Sequence, residues 1–317
     1  MKKRLFITGA SGYLGGRIIN YFEKINDYEL TLATSSNLKN LSYLSNRHKI
    51  VNLNLFNKFE LLELLKNSYA ILHLASLNEI ECAKSINNAI NINVIGTYNL
   101  LEAAIENNIK KFIYFSTAHI YGSPLIGEIN EKTLPKPTHP YAISNLAAEY
   151  FVYSANKNKS ISGSIFRLSN CFGAPIRQNI NRWTLVVNDI CLQVIKTRKI
   201  ILKTNGDQKR DFITIEDVCR AVNHLILLED TNDGVFNLGG NLTLSILEIA
   251  KLIAERAYVL FGFTPNIELP NNNVTNVSEN LNYNSNKFFN TGFQLKSNIN
   301  YEIDNTLKIC KEWYNKI

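Results

Sequence analysis

Short apolar runs alternate with amphipathic segments through the first half of the chain. The amphipathic segments repeat their apolar side chains at helical spacing and cover residues 17–24, 59–66, 92–107 and 141–156. The apolar runs have the length of β-strands and cover Leu5–Thr8, Glu29–Ala33, Ile50–Leu53, Ala70–Leu74, Phe112–Ser116 and Ser164–Leu168. Strands that alternate with helices form right-handed β-α-β crossovers, so the pattern predicts an α/β fold with a doubly wound parallel sheet.

The first apolar run leads directly into a glycine-rich loop. Gly9, Gly12 and Gly15 are spaced three residues apart, and the first amphipathic segment follows them. Glycine lets the chain turn tightly and lets a pyrophosphate approach the backbone, while the N-terminus of the next helix attracts the phosphate charge. The strand before the loop and the helix after it favour a dinucleotide-binding loop, and hence an enzyme, over a glycine-rich turn without a ligand.

The pattern becomes less regular after about residue 170. It predicts a helical segment over Trp183–Lys196 and a polar loop over Thr204–Arg210, and an Asn/Pro-rich stretch covers Phe263–Asn273. We therefore expect a dinucleotide-binding domain over residues 1–168 and a smaller C-terminal substrate-binding lobe over residues 169–317, with some segments of the lobe returning to the sheet.

Composition narrows the class of protein and its partners. The net charge of +7 is spread without a basic block, which argues against nucleic-acid binding and favours anionic small molecules. The five cysteines lack the C-x-x-C spacing of metal and redox sites, as expected of buried thiols in a reducing compartment. No apolar stretch reaches the roughly 18 residues of a membrane span. We expect a cytoplasmic protein that binds no metal, nucleic acid or membrane.

Two of the predicted helices carry broad apolar stripes. The helices at 92–107 and 141–156 have more apolar positions than packing on one face of a sheet requires. The stripes could pair with those of a second copy to form a homodimer, or they could be buried against the sheet of their own chain. The pattern by itself leaves both arrangements open.

A hydroxyl and a phenol stand where a parallel sheet binds its ligands. Thr117 ends a predicted strand, and Tyr141 opens a predicted helix 24 residues later. Ligands of open α/β sheets bind at the carboxyl ends of the strands. A phenol beside a hydroxyl at such a place can move a proton to or from a sugar alcohol while a hydride passes to a nicotinamide.

These motifs together resemble those of the extended short-chain dehydrogenase/reductase family, whose members modify nucleotide sugars. The similar segments run nearly from end to end and comprise Gly9–Gly15, His73–Ser76, Asn93–Thr97, Ser116–Thr117, Ile120–Gly122, Tyr141, Arg167–Gly173, Arg210–Ile213 and Asn237–Gly240. The resemblance implies a Rossmann-like doubly wound sheet with a substrate-binding lobe, a nicotinamide cofactor and a nucleotide-diphosphate sugar as substrate.

The resemblance also implies a role for individual residues. Thr117 would orient the sugar hydroxyl, Tyr141 would be the general base, and Asn170 and Arg210 would contact the nucleotide diphosphate. Trp183 would either stack on the nucleobase or belong to the core of the lobe. The implied cofactor contacts, with Asn54 near the adenine, are Gly9, Ser11, Gly12, Tyr13, Leu14, Gly15, Ser35, Asn54, Leu55, Leu74, Ala75, Ser76, Asn93, Ser116, Tyr141 and Leu168.

The chain departs from the family at one catalytic position. The family's helix motif is Tyr-x-x-x-Lys, and Asn145 stands at the lysine position. Lowering a phenol pKa from about 10 to about 7 takes roughly 4 kcal/mol, which one charge at about 4 Å supplies at an effective dielectric constant of about 20. Asn145 can hydrogen-bond a ribose hydroxyl but carries no charge. We expect either a slow or alkaline-shifted enzyme, or a protein that binds its ligands without turnover.

The residues after Thr117 bear on the reaction. In the family's 4,6-dehydratases the threonine is followed by Asp-Glu, whereas here Ala118 and His119 follow it, so dehydration is disfavoured. Oxidation of a ring hydroxyl, at C4, remains. It would serve either a dehydrogenase that releases the keto sugar or an epimerase that reduces the keto sugar on its other face. The sugar, a hexose or a heptose, and its nucleotide stay open.

The residues after the second strand bear on the cofactor. Enzymes that use NAD commonly place Asp or Glu there to bind the ribose diol, whereas residues 34–39 read Thr-Ser-Ser-Asn-Leu-Lys. These side chains could take a hydroxyl or a 2′-phosphate, although no arginine is present to clamp a phosphate. We predict NAD, with NADP as the alternative.

Overall fold

The structure is a computed structural model that describes residues 2–231, 233–270 and 280–314. Its strands are β1 (Lys3–Thr8), β2 (Tyr28–Thr34), β3 (Lys49–Asn52), β4 (Ala70–His73), β5 (Lys111–Thr117), β6 (Gly127–Ile129), β7 (Ser162–Leu168), β8 (Asn170–Phe172), β9 (Lys199–Ile201), β10 (Lys209–Thr214), β11 (Val235–Leu238), β12 (Thr243–Ser245), β13 (Asn266–Glu268) and β14 (Leu281–Tyr283). Its α-helices are α1 (Tyr13–Ile25), α2 (Lys58–Leu65), α3 (Glu79–Lys84), α4 (Ile86–Ala89), α5 (Gly96–Glu106), α6 (Pro140–Lys157), α7 (Val186–Thr197), α8 (Ile215–Leu227), α9 (Ile246–Phe261), α10 (Asn286–Phe289) and α11 (Ile299–Tyr314).

Contacts divide the chain into two compact units. Unit 1 comprises Met1–Ser123, Thr133–Leu168 and Cys219–Asn237, and unit 2 comprises Pro124–Lys132, Ser169–Val218 and Leu238–Ile317. One boundary between the units falls between Leu168 and Ser169. Pro124–Lys132 lies before this boundary but belongs to unit 2, and Cys219–Asn237 lies after it but belongs to unit 1. Among the residues described, no helix combines the length and the apolarity that crossing a membrane requires.

A seven-stranded sheet forms the centre of unit 1. Its order is β11-β7-β5-β4-β1-β2-β3, and the pairs that join β7, β5, β4, β1, β2 and β3 are all parallel. The predicted α/β fold with a parallel doubly wound sheet is confirmed. After β1 the chain builds outward through β2 and β3, then crosses to the other side of β1 to form β4. The carboxyl ends of β1 and β4 therefore flank the point where the strand order reverses, which is where such sheets bind ligands.

The strands of this sheet are apolar along their length, as expected of a parallel sheet whose two faces are covered by helices. Side chains such as Phe6, Ile71 and Phe112 are fully buried in a core shared with helices α2, α5 and α6. Every residue of β5 is buried, including the polar Ser116 and Thr117 at its end. The end of this strand therefore carries hydroxyl groups into an otherwise apolar layer.

Unit 2 is built from small sheets and three long helices. The strands pair as β12-β10-β8, β13-β9 and β14-β6. Helices α7, α9 and α11 enclose a core that includes Phe172, Phe212 and Ile253. The first half of strand β10, Lys209–Asp211, pairs with β12 in antiparallel orientation, and the second half, Phe212–Thr214, pairs with β8 in parallel.

Three boundaries in the irregular half differ from the prediction. Helix α7 begins at Val186 and not at Trp183, because Leu185 is extended and the side chain of Asn188 holds the carbonyl of Arg182 at 3.3 Å. The polar loop ends before Lys209, where pairing with β12 begins. Within the Asn/Pro-rich stretch, Asn266–Glu268 pairs with β9, and residues 271–273 lie outside the described residues. The start of α7 is set by a local hydrogen bond, whereas the other two differences come from pairing with distant segments.

Candidate functional site

The glycine loop after β1 is so tight that no side chain fits at Gly9 or Gly15. Gly9 has a φ of +64°, in the left-handed region that favours glycine. A Cβ atom on Gly9 would lie 2.8 Å from the carbonyl carbon of Leu74 and 2.9 Å from the nitrogen of Ala75. A Cβ atom on Gly15 would collide with the carbonyl oxygen of Gly9, and the nitrogen of Gly12 donates to that same oxygen at 2.9 Å. Backbone therefore packs on backbone throughout the loop.

Helix α1 starts from this loop in a form that suits a phosphate. Gly12 is its N-cap residue, no side chain among the described residues makes a cap hydrogen bond there, and its first turn carries no acidic residue. The positive end of the helix dipole is therefore not neutralised by a carboxylate. The loop and helix start fit the pyrophosphate of a dinucleotide, with Gly9, Ser11, Gly12, Tyr13, Leu14 and Gly15 as the residues that would surround it.

Three hydroxyl groups stand together where β2 ends. The Oγ of Ser11 lies 2.9 Å from the Oγ1 of Thr34 and 3.0 Å from the Oγ of Ser36, and the last two lie 2.8 Å apart. Ser35 is exposed beside them. These groups can hydrogen-bond the hydroxyls of a ribose, so the end of β2 fits a nucleoside without the acidic residue that usually stands there.

The predicted adenine contacts lie after β3. The side chain of Asn54 is exposed, and its Oδ1 accepts from the nitrogen of Phe56 at 3.0 Å, which closes a short turn. Leu55 is buried, and Gly96 at the start of α5 leaves room for its side chain. The contact of these residues with a cofactor stays a prediction.

The segment after β4 is tied to the neighbouring helices by Asn93. The nitrogen of Leu77 donates to Asn93 Oδ1 at 2.8 Å, and Asn93 Nδ2 donates to the Oγ of Ser144 on α6 at 3.0 Å. Ser76 Oγ donates to the carbonyl of Leu77 at 3.1 Å. Asn93 is almost wholly buried in a π-helical stretch, Ile90–Ile95, that precedes α5. Its side chain is thus used inside unit 1 and positions the segment that begins at Leu74.

The two predicted catalytic groups lie on elements that pack together in unit 1. Thr117 is the last residue of β5, opposite Leu168 of β7, and its Oγ1 accepts from the nitrogen of His119 at 3.2 Å. Tyr141 is in the first turn of α6, where its nitrogen donates to Nδ1 of His139 at 3.1 Å. Pro140 occupies the first position of that helix, which its fixed φ favours. The start of α6 is therefore capped and well defined.

Asn145 is fully buried and has two protein partners. Its Oδ1 accepts from the hydroxyl of Tyr114 at 2.8 Å, and its Nδ2 donates to the carbonyl of Tyr141 at 2.8 Å. Burial raises the pKa of Tyr114 well above its usual value, so its phenol stays neutral. The lysine position of the motif therefore holds a neutral pair. The predicted contact with a ribose stays a prediction, and a ribose hydroxyl would share a carboxamide that two protein groups already use.

A buried ion pair lies one helical turn further along α6. Arg167 of β7 donates hydrogen bonds to the carboxylate of Glu149 from Nε at 3.0 Å and from Nη2 at 2.8 Å. Arg167 also donates to the hydroxyl of Tyr121 at 2.8 Å, which donates to Asn237 Oδ1 at 2.7 Å. Sequence reasoning assigned no role to this network. Its signal was the spacing of Tyr141, Asn145 and Glu149, which puts all three on one helix face.

Two of the predicted substrate residues of unit 2 lie on strands, Asn170 on β8 and Arg210 on β10, whereas Trp183 precedes α7. Asn170 Nδ2 donates to the carbonyl of Asp211 at 3.0 Å, and Arg210 Nη2 donates to Gln208 Oε1 at 3.0 Å. Burial lowers the pKa of Arg210. Trp183 is only 8% exposed and packs edge-on against Trp313 and Tyr314, which favours the core interpretation over nucleobase stacking.

Sequence reasoning also missed the role of Asp211. Its carboxylate accepts from the nitrogens of Gly240 at 2.9 Å and Leu242 at 3.1 Å and from the Oγ of Ser169. Burial raises the pKa of Asp211 to about 6, against the opposing effect of these donors. Asp211 thus holds the loop before β12 beside the strand that carries Arg210. Its place between Arg210 and Phe212 in a strand-like run was the available signal.

Comparison with known proteins extends this description. A model of the NAD dependent epimerase/dehydratase family matches residues 5–239. The dTDP-D-glucose 4,6-dehydratase of Mus musculus is 30% identical over 261 residues, which cover 78% of this chain and 71% of the relative.

Solved structures share the fold over nearly the full length. The UDP-N-acetylglucosamine 4-epimerase of Methanobrevibacter ruminantium M1, in complex with UDP-N-acetylmuramic acid, has a TM-score of 0.82 at 20% identity, and the match covers 97% of this chain and 98% of that one. The UDP-glucuronic acid 4-epimerase of Bacillus cereus, in complex with NAD, has a TM-score of 0.81 at 21% identity, covering 99% and 98%.

Proposed function

The chain belongs to the NAD dependent epimerase/dehydratase family, of the extended short-chain dehydrogenase/reductase type, and from that premise we propose that it oxidises a nucleotide-activated sugar. The proposed reaction removes hydrogen from a ring hydroxyl, at C4 of a hexose or heptose, with NAD as the oxidant. The observation that carries the proposal is the phosphate-binding loop at the β1–β4 reversal of a sheet whose neighbouring strand β5 ends in Thr117.

The residues of unit 1 supply the polar groups that this oxidation needs. NAD, when bound, supplies the acceptor for the hydride that leaves the ring carbon. Thr117 would hydrogen-bond the reacting hydroxyl, and Tyr141 would take its proton as the C–O bond becomes a carbonyl. Both electrons leave with the hydride, so the substrate becomes a keto sugar and the phenolate of Tyr141 becomes a phenol.

The turn after β5 favours simple oxidation over dehydration. Elimination of water needs an acid and a base in addition to the redox pair, and the family's 4,6-dehydratases carry Asp-Glu after the threonine. Here Ala118 and His119 form a 3₁₀ turn, with Ala118 buried. The chain would therefore release the keto sugar as a 4-dehydrogenase, or reduce it on its other face as a 4-epimerase.

The neutral pair of Tyr114 and Asn145 supports a modified rate profile. With no cation at the motif's lysine position, deprotonation of Tyr141 would depend on high pH and on the positive charge of the oxidised nicotinamide ring. We expect slow, alkaline-shifted turnover. The second candidate function, binding of cofactor and nucleotide sugar without turnover, is favoured by the same observation.

Further proposals concern the substrate, the assembly and the compartment. Asn170 and Arg210 are proposed contacts of the nucleotide diphosphate.

Helices α5 and α6 are proposed to form a homodimer interface. The exposed rings of Tyr98 and Phe151 lie together there, with 5.1 Å between their centroids. The five cysteines all lie in the described part of the chain, where they are buried and none forms a disulfide, in keeping with a reducing cytoplasm.

A panel of nucleotide sugars tests the reaction. Purified protein with NAD is followed by NADH absorbance from about pH 6 to about pH 10, with Tyr141→Phe as the inactive control. Growth of NADH with one sugar, rising with pH, is expected for a dehydrogenase. Conversion of the sugar in an NMR spectrum without net NADH identifies an epimerase. A pH–rate profile with a broad optimum at acidic pH contradicts the alkaline shift. Binding of NAD without conversion of any sugar supports the binding-only function.

A further inference from the structure

A row of buried hydrogen bonds runs beneath the glycine loop. The Oγ1 of Thr8 lies 2.8 Å from Nδ1 of His73, and Nε2 of the same ring lies 2.9 Å from the Oγ1 of Thr97. All three side chains are buried, with exposed fractions of 0–1%. The two threonine hydroxyls can each donate or accept, so the direction of these bonds follows from their other partners.

The bond that Thr97 makes to a carbonyl determines the direction of its hydrogen bond with His73. The Oγ1 of Thr97 lies 2.6 Å from the carbonyl oxygen of Asn93. A carbonyl oxygen only accepts, so the hydroxyl proton of Thr97 points to Asn93. Thr97 is then an acceptor toward the imidazole, and Nε2 of His73 must carry a proton.

The Thr8 end leads independently to the same assignment. The nitrogens of Leu74 and Ala75 both donate to the Oγ1 of Thr8, each at 3.1 Å. These donors occupy the lone pairs of the oxygen, so its own proton points to His73. Nδ1 of His73 is therefore the acceptor, and the ring is the neutral tautomer with its proton on Nε2. Burial lowers the pKa of His73 to about 3, which keeps this tautomer neutral across the working pH range.

The row joins the segments that form the dinucleotide loop. Thr8 is the residue before Gly9, and Leu74 and Ala75 are the residues whose backbone packs directly against Gly9. The hydroxyl of Thr8 thus holds the chain after β4 in place against the loop after β1. At the other end, Thr97 bonds the carbonyl of Asn93, whose side chain holds Leu77 further along the same segment.

We propose that His73 is a positioning residue for the cofactor: its Nε2-protonated ring directs the Thr8 hydroxyl so that Leu74 and Ala75 are held against Gly9. The ring itself contacts no ligand in this scheme. The cofactor part of the proposal rests on the proposed function, since NAD is the molecule the loop would bind, whereas the direction of the hydrogen bonds is a property of the protein without a ligand.

The tautomer is measured first. The protein is labelled with ¹⁵N in its histidine rings, and the signals of His73 are assigned by their absence in His73→Gln. In the protein without cofactor we expect one protonated nitrogen, Nε2, and one unprotonated nitrogen, Nδ1, unchanged between about pH 8 and about pH 5. A proton on Nδ1, or titration of the ring near its ordinary pKa, overturns the proposal.

The positioning role is tested with a matched pair of variants. Thr8→Val keeps the shape of the side chain but removes the hydroxyl, and Thr8→Ser keeps the hydroxyl. Thr8→Val removes the three hydrogen bonds of this hydroxyl, with His73, Leu74 and Ala75. NAD titration by calorimetry should give roughly tenfold weaker binding for Thr8→Val and near wild-type binding for Thr8→Ser. If Thr8→Val does not fold, Thr97→Val and Thr97→Ser make the same comparison at the other end of the row.

The outcomes separate the two proposals. Equal NAD affinity of the valine and serine variants overturns the role of His73 and leaves the proposed reaction untouched. The expected difference, in a protein that binds NAD but oxidises no sugar, supports the role of His73 and overturns the reaction. A wild-type protein that binds no NAD overturns the cofactor part of both, and the NMR result then decides the tautomer alone.

Discussion

Asn145 and His73 are two buried side chains that are polar but neutral, and both lie next to the proposed chemistry. Asn145 has no charge to offer and is held by Tyr114 and by the carbonyl of Tyr141. His73 could carry a charge, but the loss of solvent opposes it, and so does the hydroxyl proton that Thr8 directs at Nδ1. At the scale of the residue, unit 1 thus places neutral hydrogen-bonded groups at the start of helix α6 and beneath the glycine loop, and a charged pair, Glu149 and Arg167, one turn further along α6.

Restoring the cation at position 145 should shift the activity to lower pH. Asn145→Lys places a positive charge one helical turn from Tyr141, which favours the phenolate. We expect the acidic limb of the pH–rate profile to move to lower pH by about one unit or more. One pKa unit corresponds to about 1.4 kcal/mol, and one charge at short range can supply several kcal/mol. The profile of kcat is measured with the sugar that the panel identifies.

Asn145→Met is the matched control for this change. Methionine has a long side chain without a charge, so it should leave the limb where the wild type has it while removing the bonds to Tyr114 and Tyr141. If the lysine and methionine variants have the same profile, the charge at this position does not govern the base. Both variants should melt at lower temperature, the lysine variant more so because it buries an ammonium group.

The neutral state of His73 makes the stability of the fold depend on pH. In the unfolded chain the ring takes up a proton near its ordinary pKa of 6.5, whereas the folded protein does so only near 3. The free energy of unfolding should therefore fall as the pH is lowered from about 6.5 toward about 3. Chemical denaturation at several pH values should show that the stability advantage of the wild type over His73→Gln shrinks across this window. A constant difference contradicts the prediction.

At the scale of the element, the glycine loop and helix α6 owe their form to close packing. The loop brings the backbone of Gly9 against Leu74 and Ala75, and Gly15 allows α1 to start beside it. Helix α6 presents Tyr141, Asn145 and Glu149 on one face. The spacing along the helix aligns these residues, and packing against β5 and β7 gives Asn145 and Glu149 their partners, Tyr114 and Arg167.

Gly15→Ala should abolish NAD binding. The added methyl group would meet the carbonyl oxygen of Gly9 and the Cα of Ala10, and backbone atoms of a tight loop cannot move aside without opening it. Gly262→Ala is the control, because Gly262 has a φ of +73° at the end of α9 but open space around its Cβ.

The two glycine variants should therefore separate binding from stability. Gly262→Ala should lose about 1 kcal/mol of stability from backbone strain and bind NAD normally. NAD titration and thermal melting are measured on both proteins. Wild-type affinity in Gly15→Ala would contradict the role of the loop.

At the scale of the whole molecule, the chain forms two compact units with cores of their own. The glycine loop, Thr117 and Tyr141 belong to unit 1, whereas Asn170 and Arg210 belong to unit 2. Helices α5 and α6 of unit 1 leave large apolar side chains exposed, among them Tyr98, Ile143 and Tyr150. A surface of this kind is typical of an interface between protein copies.

Phe151→Glu should convert the proposed homodimer into a monomer. Phe151 is 41% exposed and lies against Tyr98, so a carboxylate there can remain hydrated in the monomer but would be buried in the dimer. Sedimentation velocity measures the assembly. Phe59→Glu on α2, where the side chain is 84% exposed, is the control and should leave it unchanged. A wild-type protein that sediments as a monomer contradicts the interface.

The sequence by itself was sufficient for six strands of the sheet, β1 to β5 and β7, and for helices α1, α2, α5 and α6, but it did not predict β11 or α8. These strands are short apolar runs and these helices are amphipathic, so their type and order are written in neighbouring residues. The glycine loop, the strand end at Thr117 and the helix start at Tyr141 were found for the same reason, since each is a local pattern. The absence of lysine at position 145 was also visible, as was the absence of Asp-Glu after Thr117.

Only the tertiary structure decided what the buried polar groups bond. Tyr114 is 31 residues from Asn145, and Thr8 is 65 residues from His73, so no local pattern could pair them. The strand that begins at Lys209 likewise depends on a partner segment far along the chain. Hydrophobic periodicity is a property of neighbouring residues, whereas the partner of a buried donor or acceptor is whichever group the fold brings within reach, and the cost of leaving it unpaired makes that choice specific.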